Sequence, residues 1–325
     1  MGITVIKPGL FTTIQDYGRF GYQQLGIVPS GAMDSYALRI ANMIVDNQDM
    51  ESTIEITMMG PTLRFDKSAT ISIFGANMSP EINGIPVQTG KPLLIQRGEI
   101  VSFRKLVSGA RCYLAVHGGI QVPKILDSKS TYVKGRIGGL NGLPLKAQDI
   151  IPIQESRMNK RAKWFLAPEW FQYCVSKSPI RIIEGKQFNM FNKNAKRDFL
   201  QTIYKIQSNS DRMGYRLQGE PLSLSAPKEL ITEGVTMGSI QVPPDGQPII
   251  LMADRQTTGG YPKIAQVASV DLPILAQKKP GDEIHFEMIS LEAAQSLLIE
   301  REKQLRVLKK MIKEQNRGEV QYVQN

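Results

Sequence analysis

The densest run of functional side chains is Met252-Ala-Asp-Arg-Gln-Thr-Thr-Gly-Gly-Tyr-Pro-Lys263, with Ser239-Ile-Gln-Val-Pro-Pro-Asp-Gly246 before it and Gln266 just after. An apolar strand here feeds directly into Asp254, Arg255, Gln256 and Thr257. Two glycines let backbone N–H groups approach an anion, Lys263 adds a point charge, and Gln and Asp side chains read an amide or ureido group by paired hydrogen bonds. A tight turn needs one or two polar residues, not this number. The pattern is that of a polar small-molecule site, with Asp254 and Lys263 as catalytic candidates. Gln241, Arg255, Gln256, Thr257 and Gln266 are candidates for holding substrate or an anion.

Three further segments carry chemistry. In Ser210-Asp-Arg-Met-Gly-Tyr-Arg-Leu-Gln-Gly219 two arginines stand four apart around a glycine, and guanidinium forks suit carboxylate or phosphate. Asp211 is placed to pin Arg212, which leaves Arg216 to meet an anion, with Tyr215 beside it. In Leu114-Ala-Val-His-Gly-Gly119, strand alternation puts Cys112, Leu114 and Val116 on one face and Arg111, Tyr113, Ala115 and His117 on the other. His117, at a strand end before flexible glycines, is either a general acid or base on a rim or a hydrogen-bonded structural histidine. The third segment, Thr12-Thr-Ile-Gln-Asp-Tyr-Gly-Arg19 followed by Ser30-Gly-Ala-Met-Asp34, offers Asp34 as a binding residue. An Asp16–Arg19 ion pair locking the loop is its purely structural reading.

Other chemistries are struck out. Asn83 to Pro92 is similar in outline to a P-loop, but five residues separate Gly84 from Gly90 and Pro92 stands where Ser or Thr would ligate magnesium, so it reads as a hairpin turn. There is no Gly-x-Ser-x-Gly, no His-Glu-x-x-His and no Met-Lys-Met for biotinylation; biotin, if used, comes on a separate carrier protein. With only Cys112, Cys174, His117 and His285, neither a disulfide framework nor a multi-ligand zinc site is expected, and no metal is assigned.

The elements that must position these groups are mostly short strands: 69–74, 99–103, 111–117, 181–184, 247–252 and 283–288 alternate and are bounded by Gly, Pro and Asn. Helices are few. Met33, Ala37, Ile40, Ala41 and Ile44 form one apolar stripe with Ser30 as the expected N-cap, and a second helix is expected over about 187–199. The longest runs from Ser290 to about Gln315, with Leu291, Leu298, Leu305 and Ile312 in a seam that Arg301 interrupts and Glu302–Arg306 as an i,i+4 pair. It is read either as laid on the barrel or as a docking helix through which copies of the chain could associate, and residues beyond about 292 are expected to be dispensable for folding.

The 325 residues suit two domains. The reading is mostly β, two β-barrel domains with a few helices and a long C-terminal helix: 1–155, a basic and aromatic linker over 156–180, 181–290, and 291–325. Gln148-Asp149-Ile150-Ile151 and Gly281-Asp282-Glu283-Ile284 are similar phrases ending the two halves, a hint of related barrels. Net charge is +10, with ten Lys or Arg against three Asp or Glu between Arg157 and Asp198. No nucleic-acid recognition motif interleaves that stretch, so no nucleic acid is expected. With no run of about 18 apolar residues and no apolar leader, the chain reads as cytoplasmic, with no membrane contact.

With these residues laid out, the chain resembles the biotin-dependent carboxyltransferase family, which includes the KipA-like components of ATP-dependent 5-oxoprolinase and the carboxyltransferase domain of urea carboxylase. The resemblance runs from Lys7 to about Phe286 through PGLFTTIQDYGRFGY, PSGAMDSYALRIAN, YLAVHGGI, SDRMGYRLQG, SIQVPPDGQPIILMADRQTTGGYPKI and AQKKPGDEIHF. It implies cyclophilin-like barrels, a KipI-like protein and a LamB/YcsF-like protein as the other components of a 5-oxoprolinase, and ATP as cosubstrate at a site shared with them. The implied reaction opens 5-oxo-L-proline to L-glutamate. Two alternatives stand: a KipA-like regulatory protein that captures a KipI-like inhibitor of a sensor kinase, and carboxyl transfer in a urea-type carboxylase. One departure is visible: Leu143 stands where relatives usually carry an arginine, and Gln148 where they carry glycine.

Overall fold

The computed structural model describes residues 2–155, 163–226 and 230–317. These form two compact units. The first comprises residues up to Gly18, Asp34–Val175 and Glu302 onward; the second comprises Arg19–Met33 and Ser176–Arg301.

The first unit holds two antiparallel sheets among the described residues. One orders Ile150–Pro152, Gly2–Lys7, Thr62–Phe65, Ile100–Phe103, Pro80–Ile82 and Ile85–Pro86; the other orders Phe11–Gln15, Thr53–Thr57, Ser108–Val116, Ala69–Asn77 and Leu93–Ile95. Alternation sends Ile3, Val5, Ile54, Leu63, Ile71 and Leu114 into one shared apolar cluster. The expected hairpin is present: Asn83 and Gly84, both at positive φ, turn the chain between two of these strands.

Helix α1 (Ser35–Ile44) buries the expected stripe, but its N-cap is Asp34, whose Oδ1 accepts the Ala37 N–H at 2.9 Å. Ser30 is instead a left-handed residue at φ 57°. The loop below is locked by hydroxyls: Asp16, expected to pair with Arg19, accepts from Ser128 Oγ, Ser130 Oγ, and the Lys129 and Gly18 N–H groups. Three neighbouring donors from 128–130 and one from Gly18 saturate a carboxylate without a counterion.

In the second unit an eight-stranded sheet orders Glu283–Ile284, Tyr204–Ile206, Gly214–Gln218, Ile249–Leu251, Ser239–Gln241, Lys263–Val267, Ile180–Glu184 and Phe286–Met288. Its two outermost strands are consecutive in the chain, separated by His285 alone, so the sheet curls into a near-closed barrel. The helix expected over 187–199 is shorter: a 3₁₀ turn at Phe188–Met190 precedes α2 (Lys193–Gln201), because Asn192 caps Ala195 N–H at 2.8 Å. A short α3 spans Leu272–Ala276.

The similar phrases at the ends of the halves form one motif twice. In the first unit Val5 N–H donates to Asp149 O, Gln148 N–H to Val5 O, and Lys146 N–H to Asp149 Oδ2. In the second unit Ile206 N–H donates to Asp282 O, Gly281 N–H to Ile206 O, and Lys279 N–H to Asp282 Oδ2. The residue before each aspartate is left-handed, Gln148 at φ 72° and Gly281 at φ 90°. Only the second copy carries the glycine that this backbone favours.

Helix α4 (Leu291–Arg317) departs from the even seam. Leu305, Leu308 and Ile312 are buried, whereas Leu291 and Leu298 are 52% and 38% exposed. Arg301 donates to Val270 O. Glu302, expected to pair along the helix with Arg306, meets Arg39 of α1 in a two-bond fork at 2.6 and 2.9 Å, and Lys309 reaches Asp49. From Glu302 the buried part of the seam, Leu305, Leu308 and Ile312, thus packs within the chain's own first unit, while Leu298, Ile299, Val307 and Met311 stay exposed. Leu308→Ala is expected to cost about 2–5 kcal/mol by opening a cavity, against less than about 0.5 kcal/mol for exposed Leu298→Ala. Urea unfolding of both variants checks this; equal small losses would show that the helix is not part of the core.

Candidate functional site

Strand register assembles the first cluster. Gly214 pairs with Leu251, and beyond the ladder Met252 N–H donates to Met213 O and Asp254 N–H to Arg212 O, which brings Arg212 and Asp254 to the same end. Their side chains lock: Arg212 Nε donates to Asp254 Oδ2 at 2.9 Å and Nη2 to Oδ1 at 3.0 Å and to Gly31 O at 2.6 Å. Ser30 Oγ donates to Asp254 Oδ1 at 2.7 Å. Arg212, expected to be pinned by Asp211, pairs with Asp254 instead, because Asp211 turns back to accept the Met213 and Gly214 N–H groups. Beside this pair Arg255 is buried; its Nη1 makes one 3.4 Å contact with Met252 O, and burial pulls its pKa down to about 10 against the pull of Asp254. Gln256 is exposed and Thr257 half-buried.

A second cluster forms at the other end of the same loop. The strand Thr258–Gly259 pairs with Glu233–Gly234, and Glu233 Oε1 receives Lys263 Nζ at 2.6 Å and Gln187 Nε2 at 2.7 Å while Oε2 receives Lys186 Nζ at 2.6 Å. Hydrogen bonds from Lys186, then Lys263 and Gln187, hold the Glu233 carboxyl down at about 2. Gln241 is buried under Gly259, where a Cβ would lie 2.5 Å from its Nε2. Beside the loop opens a cleft of about 870 Å³ lined by Leu222, Leu224, Leu230, Pro243, Asp245 and Tyr261.

Within the second unit, Arg216, Tyr215 and Gln266 do not join these clusters. Arg216 points to solvent, since alternation along Gly214–Gln218 buries Tyr215 and Leu217, and Tyr215 Oη donates to Lys278 O. Gln266 spends its amide on Met237 O, Thr236 and Ser239. His117 and Asp34 belong to the first unit. His117 Nδ1 donates to Val45 O at 2.7 Å, the hydrogen-bonded structural arrangement. Asp34 caps α1 and accepts Tyr173 Oη at 2.8 Å; its N–H donates to Tyr113 Oη, which donates to the buried Glu55. Burial and the facing carboxylates push both phenols well above their usual range.

Sequence reading missed Ser30 as a partner of Asp254, and it missed Glu233 entirely. Ser30 opens the polar Ser30–Asp34 segment. Glu233 carries no local signal, because its lysines lie 30 and 47 residues away along the chain. Among the described residues no three His, Cys, Asp or Glu side chains converge as a metal site, and no helix is long and apolar enough to cross a membrane.

Residues 25–288, which contain both clusters, match the model of the carboxyltransferase domain, subdomains A and B. The chain belongs to this family. Within the carboxyltransferase domain family it is 38% identical over 292 residues to the C subunit of 5-oxoprolinase from Escherichia coli, covering 90% of this chain and 93% of that one. The corresponding 5-oxoprolinase component of Haemophilus influenzae is 38% identical over 304 residues, 94% and 96% of the two chains. Among solved structures, the K. lactis urea amidolyase superposes with a TM-score of 0.85 at 30% identity over 94% of this chain, which spans only 20% of that much longer protein. The family resemblance read from the motifs therefore holds.

Glu233 gives this carboxyltransferase domain a pH signature. Its folded pKa lies below the unfolded value of about 4.3, so its contribution is complete above that value and is lost as pH falls through about 2. Glu233→Gln is expected to lower the melting temperature at pH 7 by an amount that holds constant down to about pH 4.3 and shrinks below it. Melting curves from pH 7 to pH 3 check this; a gap that persists unchanged to pH 3 would remove Glu233 from the charged cluster.

Proposed function

We propose that the chain is the C subunit of a cytoplasmic ATP-dependent 5-oxoprolinase, acting with a KipI-like protein and a LamB/YcsF-like protein, and that both units are cyclophilin-like barrels. The observation that carries this reading is the 38% identity to two 5-oxoprolinase C subunits over at least nine-tenths of each chain. A lactam is a stable amide, so opening it needs an activated carbonyl. In the proposed sequence the γ-phosphoryl group of ATP moves to the lactam oxygen, water adds to the carbon, the C–N bond breaks as nitrogen takes a proton, and a second water releases phosphate. Lys263 and Arg255 supply positive charge toward the anionic groups. Asp254, held by Arg212 and Ser30, fixes the loop that carries them.

The fold match to urea amidolyase supports a second reading, carboxyl transfer to a urea-like amide from biotin carried on another protein. The two are separated by assay. The chain alone is expected to be nearly inactive, with 5-oxoproline-dependent ADP release appearing only when the KipI-like and LamB/YcsF-like proteins are added. Lys263→Ala should lower kcat/KM of the assembled complex about tenfold or more, the loss of one charge-assisted contact. Full turnover by the chain alone, or ATP hydrolysis that responds to urea and a biotin carrier but not to 5-oxoproline, would overturn the assignment.

A further inference from the structure

A second buried arginine stands beside the Arg212–Asp254 pair. Arg212 and Asp254 neutralise each other through two hydrogen bonds. Arg255, next in the chain and only 6% exposed, has no carboxylate partner among the described residues. Its Nε is buried without an acceptor, and of its five N–H donors one is directed at a protein oxygen, the Met252 carbonyl at 3.4 Å. Met252 and Ala253, which precede the Asp254–Arg255 pair in the chain, are fully buried apolar residues. An uncompensated buried cation is among the costliest features a fold retains, and buried charges are otherwise paired or ligand-bound.

We propose that Arg255 is the seat of the substrate's carboxylate, an inference that rests on the 5-oxoproline reading of this site and adds how that substrate is selected. One unpaired positive charge calls for a monoanion rather than a nucleotide polyphosphate. A planar guanidinium with adjacent free donors matches a carboxylate, which takes two parallel N–H bonds. The carboxylate is the only charged group of 5-oxoproline, so this contact separates it from neutral lactams and from urea. A site built around a buried charge rejects the analogue that leaves it unpaired. Arg212 cannot serve instead, because Asp254 and the Gly31 carbonyl occupy its fork.

The test uses the assembled three-protein complex with wild-type chain, Arg255→Met and Arg255→Lys, titrated calorimetrically with 5-oxoproline, with 2-pyrrolidinone (the same ring without the carboxylate) and with bicarbonate. Arg255→Met is expected to weaken 5-oxoproline binding about tenfold or more, to leave 2-pyrrolidinone unchanged, and to melt no lower than wild type when ligand-free, since it replaces an unpaired buried charge with an apolar side chain. Arg255→Lys keeps the charge but not the fork and should bind 5-oxoproline with intermediate affinity. Equal weakening of both ring ligands, a lower ligand-free melting temperature for Arg255→Met, or loss of bicarbonate binding with 5-oxoproline unaffected would overturn the proposal. A wild-type complex that turns over 5-oxoproline while Arg255→Met binds it equally well sinks this inference alone. A wild-type complex inert toward 5-oxoproline sinks the functional reading instead.

Discussion

A carboxylate taken out of water must be met by donors at fixed positions, and in the second unit the buried Asp254 imposes that condition on everything around it. Arg212 answers from the neighbouring strand and Ser30 from a segment more than 200 residues away in sequence. Meeting both requires the Gly214–Leu251 register, since a slip of one residue would carry Arg212 to the other face of the ladder. It also requires Ser30 to hold a left-handed backbone, a strain that its hydroxyl contact to Asp254 helps to offset. Breaking a buried pair by removing one partner costs about 3–5 kcal/mol, so this contact constrains the loop far more than any surface ion pair. Chemistry at Arg255 then becomes a matter of place: it is the cation left over when the pair is complete.

What the sequence disclosed was local periodicity and local density. Alternation located the strands that became Ala69–Asn77, Ser108–Val116 and Ile180–Glu184, and it assigned Cys112, Leu114 and Val116 to the core face and Tyr113 to the other. Polar crowding pointed to the loop from Asp254 to Lys263. Partner choice was hidden. Asp211 and Arg212 are neighbours, yet each bonds elsewhere, and Asp16 looked across three residues to Arg19 but found hydroxyls more than 110 residues away. Adjacent side chains in turns diverge, whereas folding brings remote ones to hydrogen-bonding distance, and no spacing rule records which remote ones. The helix seam failed for a related reason: Leu298 and Leu305 share a helical face, but only the second half of α4 has a core to bury against.

The duplicated aspartate motif shows what each unit keeps fixed and what it lets vary. Both copies join a strand near the start of the unit to the one near its end, with the same backbone bonds and the same carboxylate-to-amide contact. The motif tolerates Gln148 where its counterpart is Gly281, which fits a turn held by several hydrogen bonds rather than by backbone preference alone. The unit's closure is thus secured independently of the loops that carry the polar clusters.

The succession of Glu283–Ile284, His285 and Phe286–Met288 has a consequence for how other chains can recognise the second unit. A sheet ordinarily ends in two strands whose free N–H and C=O groups invite an incoming strand. Here one stretch of backbone satisfies both ends at once, pairing with Tyr204–Ile206 on one side and Ile180–Glu184 on the other. Strand addition to this sheet is therefore closed as a mode of assembly. A protein docking on this eight-stranded sheet meets side chains rather than an open backbone ladder, and the open strand edges left in the unit are those of the short Glu233–Gly234 and Thr258–Gly259 pair among the described residues.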